Sequence, residues 1–336
     1  PASRQATRSG MPGMVRIPHF LLRIDAFGHN SAKSHPVYFG VMKSPANRFP
    51  GHTAIARLLP PVLLFLVVPG CAGLPAPMTA GVDPAAPLHS LADDAESCEI
   101  GPEATGDRAL PSLDPASIEL VNWNIQKGGS EDWGIELYDL AIDADVLTLQ
   151  EAPLVNPGWE DHVVEDFHAF APGYRTRQTP TGVMTVSTAV PLVQCNLSAR
   201  EPWLRTPKAT LITEYALEGH SDTLLVINIH AVNFDFGLAS FEAQLETAAF
   251  VLGRHDGPVI FAGDFNTWRQ ARLAHLDVLV GSYGLAAVEF EEDDRKRVFG
   301  KPLDHVYVRG LDVVAAETRE SRSSDHNPMR VWLSIS

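Results

Sequence analysis

The stretch PVIFAGDFNTW, Pro258 to Trp268, decides how this chain is read. Val259 to Gly263 is short, apolar and rich in β-formers, the texture of a strand buried on both faces. It then stops on Asp264-Phe265-Asn266. An ionised carboxylate is among the costliest groups to remove from water unless it is paired. A buried strand that delivers Asp264 and Asn266 at its end therefore points to a polar site just beyond that end. Two residues apart on extended backbone, both side chains face the same side.

Other strand-like runs end the same way. IELVNWNI (118–125) carries Asn124, VLTLQ (146–150) runs into Glu151, and LLVINIHAV (224–232) holds His230. Asp304 lies at the start of LDHVYV (303–308), and Asp325-His326 precedes MRVWLSI (329–335). GVMTVST (182–188) and ATLITEYAL (209–217) read as further strands. Helical periodicity covers 133–142 and 238–252, where Phe241, Leu245, Ala248, Ala249 and Leu252 share a face. Strands outnumber helices and neighbours can pair directly, so the expected class is α/β, with two mixed sheets packed face to face and helices outside. Taken singly, the polar residues read as solvated strand ends, Asx turns or caps. Gathered on one rim they would form an oxygen-rich pocket suited to a hard cation such as Mg²⁺.

These residues sit in motifs that carry a family resemblance. WNI (123–125), LQEA (149–152), NIHAVNF (228–234), GDFNTW (263–268), LDHV (303–306) and SDHNP (324–328) resemble the ordered motifs of the endonuclease/exonuclease/phosphatase superfamily. VNWNIQKG, TGVMTVS and RVFGKPLDHVYVRGL are similar to its YafD-like group. The resemblance implies a four-layer α/β sandwich and hydrolysis of a phosphoester dependent on Mg²⁺ or Mn²⁺. It implies Glu151 as principal metal ligand, with Asn124 beside it and Asp325 able to join. It implies Asp264 as the base that orients and deprotonates water, and Asn266 as holder of a phosphate oxygen. His326, fixed by Asp304, and His230 would hydrogen-bond phosphoryl oxygens or assist the leaving group. Lys127, Gly182 and Trp268 are rim candidates for which structural roles weigh as much. His305 stands where relatives carry an aromatic or apolar residue. NIHAVNF lacks the form of this motif found in abasic-site endonucleases, so DNA repair is not inferred.

Charge and the N-terminal third bound the biology. The chain has 336 residues and a formal net charge of −15. Residues 1–70 hold eight Lys/Arg and one Asp, which leaves 18 basic against 40 acidic residues in the remainder. Such a body repels polyanions at long range, which weakens the case for a nonspecific DNA binder. The DDRKR run at 293–297 reads as a solvated loop or the border of a cleft. Leu58 to Val68 is apolar but too short, with its Pro-Pro pair, to cross roughly 30 Å of hydrocarbon. Basic flank, apolar run and Cys71 resemble the lipobox of bacterial lipoproteins. The expected organisation is an upstream extension (1–41), a lipoprotein-type signal peptide (42–70), a flexible tether (71–116) lipidated at Cys71, and a catalytic domain (117–336). The expected product is an exported, monomeric lipoprotein on the periplasmic side of the bacterial envelope. Nucleic acid, a lipid head group and a small phosphoester stay open as substrates. The alternatives are a phospholipase C or sphingomyelinase-like enzyme and a non-catalytic envelope lipoprotein. Cys98 and Cys195 are expected as unpaired buried thiols, with a disulfide between them as the competing state.

Overall fold

A computed structural model describes residues 90–100, 110–154, 167–176 and 179–335. The upstream extension, the signal segment and Cys71 lie outside the described residues. In chain order the strands are β1 (Ser90–Ala92), β2 (Ile118–Asn124), β3 (Val146–Pro153), β4 (Phe167–Arg175), β5 (Pro180–Ser187), β6 (Pro191–Arg200), β7 (Pro207–Ala216), β8 (Thr223–His230), β9 (Val259–Asp264), β10 (Ala286–Ala287), β11 (Arg297–Val298), β12 (Lys301–Pro302), β13 (Asp304–Arg309), β14 (Asp312–Thr318) and β15 (Met329–Ser334). The helices are α1 (Trp133–Ala141), α2 (Ala239–Leu252) and α3 (Gln270–Ser282). One sheet runs β1-β6-β7-β8-β9-β13-β10 and the other β14-β15-β2-β3-β5-β4, with β11-β12 a separate hairpin.

Both sheets are mixed: β8 and β9 are parallel, as are β2 and β3, whereas β9 and β13 are antiparallel. Side-chain alternation assigns the layers. Leu225, Ile227 and Ile229 of β8, with Phe261 of β9, pack against Phe241, Leu245 and Ala248 of α2 and Leu276 of α3. The opposite faces of these strands, Val226, Ile260 and Ala262, meet Leu120, Val146 and Met329 of the second sheet. Val121, Trp123 and Leu149 turn the other way, onto Trp133, Leu137 and Leu140 in and beside α1. The order is helices, sheet, sheet, helix: the four-layer sandwich expected from the sequence.

A polar seam runs through the sheet–sheet interface. Gln150 Nε2 donates to Asn228 Oδ1 at 2.8 Å and to Asn122 Oδ1 at 3.0 Å, Thr148 Oγ1 donates to Asn122 Oδ1 at 2.8 Å, and Asn228 Nδ2 donates to the Met184 carbonyl at 2.9 Å. All four side chains are buried. These bonds tie β2, β3 and β5 to β8, which fixes how the strand ends of one sheet face those of the other.

Two expectations are corrected. The tether does not extend to 116: β1 pairs in parallel with β6, from Ser90↔Val193 to Ala92↔Cys195, and Leu113 is buried and bonded to Ala216 and Glu218. The segment looked unstructured because its few apolar residues show no period; it adds to an existing sheet rather than forming its own layer. Cys98 and Cys195 are not free thiols but a disulfide, with Cα atoms 5.7 Å apart. The parallel pairing of β1 delivers Cys98 to β6, and no sequence period encodes that. Helix α3 also escaped the sequence reading, because buried Arg272 interrupts an apolar stripe completed by Leu276, Leu279 and Val280.

Replacing Asn228 with Ala removes the inter-sheet acceptor of Gln150 Nε2 and the side-chain donor to the Met184 carbonyl, so a loss of about 1–3 kcal/mol is expected in urea unfolding. Reduction of the Cys98–Cys195 bond, which spans 97 residues, should lower stability by about 2–4 kcal/mol. Identical unfolding midpoints with and without dithiothreitol would refute the pairing.

Candidate functional site

The inter-sheet faces of four strands end in polar groups at one edge. In β9, Ile260, Ala262 and Asp264 share that face; in β13 the register sets Asp304 directly opposite Asp264. In β8 the parallel register sets His230 beside Asp264. Asn124 closes the same face of β2. Gly263 makes this convergence sterically feasible: its φ is +149°, and a Cβ there would lie 2.0 Å from the Ile229 carbonyl oxygen. No other residue type fits that crossing.

Asp264 is the hub. Its Oδ2 accepts from Asn124 Nδ2 at 3.0 Å and lies 3.5 Å from His230 Nε2 and 3.9 Å from His326 Nε2. Its Oδ1 accepts the Asn266 backbone N–H at 3.0 Å. Burial pushes the Asp264 carboxyl up from the usual carboxylate range, Asp304 adds to the rise, and His326 and Lys208 oppose it. His326 Nδ1 donates to Asp304 Oδ2 at 2.7 Å. Burial alone would lower that imidazole, yet the Asp304 and Asp264 charges hold it up at about 10. His326 is therefore a cation at neutral pH. The Asp304, Asp264 and His326 ligand atoms all lie within 4.8 Å of one another, but an imidazolium donates hydrogen bonds and does not ligate metal.

His230 behaves in the opposite way. Burial and the neighbouring Lys208, His326 and Lys127 charges push it well below the usual histidine range. Lys208 Nζ lies 2.5 Å from His230 Nε2. An ammonium carries only donors, so Nε2 accepts and the ring proton sits on Nδ1. Burial lowers the Lys208 pKa, while Asp264, Glu151 and Glu201 counteract that.

The other expected residues are placed as follows. Glu151 has φ +53° in a register shift between β3 and β5, the kind of local strain that accumulates at functional positions. Its Oε2 lies 2.5 Å from Lys127 Nζ. Lys127 also lies over the Tyr174 ring, and Glu151 and Tyr174 raise its pKa against the effect of burial. Asn124 Oδ1 accepts the Gln126 N–H at 3.1 Å. Asn266, at φ +52°, donates from Nδ2 to the Ala231 carbonyl at 3.0 Å, so its amide ties the end of β8 to the end of β9. Asp325 stays exposed and acts on His326 through its charge. Gly182 is a packing residue, since a Cβ there would strike the Ala171 carbonyl oxygen. Trp268 donates to the Asn233 carbonyl at 3.3 Å. His305 is a packing residue, stacked on Tyr307 and bonded to Thr267 at 2.8 Å, with burial lowering its pKa to about 3. In the 293–297 run, Asp293 pairs with Arg295 and Arg297, and Arg295 donates to the Asp304 carbonyl at 3.1 Å, so the run borders the cluster.

Three supporting residues were not foreseen. Lys208 is one; its only sequence signal is a cation opening an otherwise buried strand. Trp123 Nε1 donates to the His326 carbonyl at 2.9 Å, and Ser324 Oγ donates to the Asn124 carbonyl at 2.6 Å, so the 321–326 turn is clamped onto β2 from both sides.

Comparison with known proteins shows the family and the fold. Residues 121–326 match the profile of the Endonuclease/Exonuclease/phosphatase family. A UPF0294 protein of Vibrio parahaemolyticus is 35% identical over 242 residues, 69% of this chain and 83% of that protein. Among solved structures, the human Nocturnin catalytic domain with bound sulfate is similar at TM-score 0.52 and 17% identity, covering 68% of this chain and 97% of that one. An endonuclease/exonuclease/phosphatase family protein from Bacteroides thetaiotaomicron gives TM-score 0.51 and 15% identity, covering 67% and 97%. At such identities these two likenesses establish the fold.

The His326–Asp304 pair makes a signed prediction. A folded pKa raised to about 10 stabilises the fold fully below the unfolded histidine value, about 6.5, and that stability is lost as pH rises toward 10. Asp304→Asn should flatten this slope and bring the His326 titration, followed by NMR, down toward the ordinary histidine range. An unchanged titration in the variant would refute the pairing.

Proposed function

Because the chain belongs to the endonuclease/exonuclease/phosphatase family, whose members are typically phosphoester hydrolases, we propose that it is an exported, Mg²⁺-dependent hydrolase of phosphodiesters or phosphomonoesters. The observation that carries the reading is the buried Asp264 carboxylate, flanked by a cationic imidazole on one side and a neutral one on the other.

Asp264, with a pKa raised by burial, is suited to hold a water and take its proton as the oxygen attacks phosphorus. Asn124 and the Asn266 N–H keep the carboxylate from rotating. The His326 imidazolium, locked at Nδ1 by Asp304, presents Nε2–H to the phosphoryl or leaving oxygen. As the P–O bond breaks, that proton passes to the leaving oxygen. His230, accepting from Lys208 at Nε2, offers Nδ1–H as a neutral donor to a nonbridging oxygen.

The donor set fits a hard divalent cation. Glu151 and Asn124 supply the oxygen chemistry Mg²⁺ favours, Lys127 already balances the Glu151 charge with a cation, and Asp304 Oδ1 is a buried carboxylate oxygen with no hydrogen-bond partner. Glu151 with Asn124 would hold the ion, and bound Mg²⁺ would neutralise charge developing on the phosphoryl group. The Cys98–Cys195 disulfide supports export, since such bonds persist in oxidising compartments. Membrane tethering through a lipidated Cys71 belongs to the same reading.

The test is hydrolysis of bis(p-nitrophenyl) phosphate by the full chain with Mg²⁺, Mn²⁺ or chelator. Chelation and Asp264→Asn should each reduce turnover by at least about 10²-fold, and Glu151→Gln should weaken Mn²⁺ binding measured by electron paramagnetic resonance. Turnover that survives both treatments refutes the assignment.

A further inference from the structure

The strand ends that carry the site also carry a ring of exposed aromatic side chains. Trp203 in the β6–β7 turn is 71% exposed, Phe236 after β8 is 66% exposed, and Phe299 in the β11–β12 hairpin is 83% exposed. Leu204 and Phe234 protrude beside them. Trp203 and Phe236 contact edge to face at 5.4 Å, and Trp268 meets Phe299 in the same manner at 6.4 Å. Exposed aromatic side chains clustered in two pairs beside the same strand ends mark an interaction site.

The ring is built rather than loose. The buried Glu201 carboxylate accepts the Asn233 and Phe234 N–H groups at 2.8 and 2.7 Å, tying the β6–β7 turn to the segment after β8. Trp268 and Arg272 both donate to the Asn233 carbonyl, and Arg269 donates to the Gly237 carbonyl, which ties in the segment after β9. Of the four segments concerned, 233–237 follows His230, 267–272 follows Asp264, 298–302 precedes Asp304, and 200–208 leads into β7 beside β8.

Their charge is opposite to that of the whole. These segments hold six basic residues against two acidic ones in a chain of net charge −15. Both acids are buried and occupied: Glu201 as described, and Asp235 in accepting the Ser240 N–H at 2.8 Å. Outward-facing charge on the ring is therefore cationic, from Arg200, Arg205 and the partly exposed Arg269 and Lys301.

Accepting the phosphoester chemistry proposed above, we infer that this ring docks on an anionic phospholipid surface and that the substrate is a lipid head-group phosphoester. Aromatic and leucine side chains interleaved with Arg and Lys suit the boundary between acyl chains and anionic head groups. Single-stranded nucleic acid also binds aromatics and cations, but it needs ring faces open for stacking along a track. Here the rings meet edge to face, and a protruding Leu204 offers nothing to a base. Docking would bring head-group phosphates to Asp264, where the attack by water described above proceeds.

The test uses the full chain produced without lipid on Cys71, sedimented with vesicles of phosphatidylcholine alone or with about 30% phosphatidylglycerol. Binding should require the anionic lipid. Trp203→Ser/Phe236→Ser/Phe299→Ser should lower the partition coefficient by at least about tenfold, while bis(p-nitrophenyl) phosphate turnover stays unchanged. Arg205→Gln/Lys301→Gln should weaken binding several-fold and blunt its salt dependence. Equal partitioning of wild type and the triple variant overturns the docking surface. So does retention by a single-stranded oligonucleotide without vesicle binding, even with the soluble diester hydrolysed. Aromatic-dependent vesicle binding without hydrolysis of any ester supports the surface and instead overturns the proposed chemistry.

Discussion

The hydrogen bond from Gln150 to Asn228 crosses between the two sheets at 2.8 Å, beside the apolar side chains that fill the interface. Two apolar sheet faces can slide over one another with little change in buried area, because burial is non-directional. Amide pairs cannot slide, since a buried partner left unpaired is expensive. With Asn122, Thr148 and the Met184 carbonyl joined to the same seam, β2 and β3 have one permitted position over β8. Asn124 reaches Asp264 only at that position, so the site inherits its geometry from the seam beneath it.

Above the seam, charge is nearly balanced within the protein itself. Glu151, Asp264 and Asp304 face Lys127, Lys208 and His326 across a few ångströms. Asp264, Asp304, Lys208 and His326 are buried, and paired charges in such an interior are tolerable where isolated ones are not. The arrangement also separates the two imidazoles by charge. His326 has a carboxylate on Nδ1 and becomes a cation; His230 has an ammonium on Nε2 and stays neutral. One strand-end cluster thus holds both a charged and an uncharged imidazole beside the same carboxylate.

The edge of the larger sheet shows how the N-terminal segment joins the domain. Strand β1 lies along β6, occupying a backbone edge that would otherwise be open to pairing with another chain. The Cys98–Cys195 bond holds that strand in place. Within the segment read as a tether, Ala95 and Cys98 are part of the core behind α2.

The amino-acid sequence alone determined the layers and the rim. Alternation in LLVINIH and VIFAGD assigns each face, and polar endings at Asn124, Glu151, His230, Asp264 and Asp304 stand out because nothing apolar explains them. Local pattern carries that information, since a strand's faces and ends are properties of a few consecutive residues. Tertiary structure alone decided which ends meet. The pairing of Lys208 with His230, the capture of Glu151 by Lys127, the exposed place of Asp325 and the disulfide to Cys195 join residues from different strands, turns and layers. Their contacts depend on register and crossing, and those are set by packing and by the buried amide seam rather than by any period in the chain.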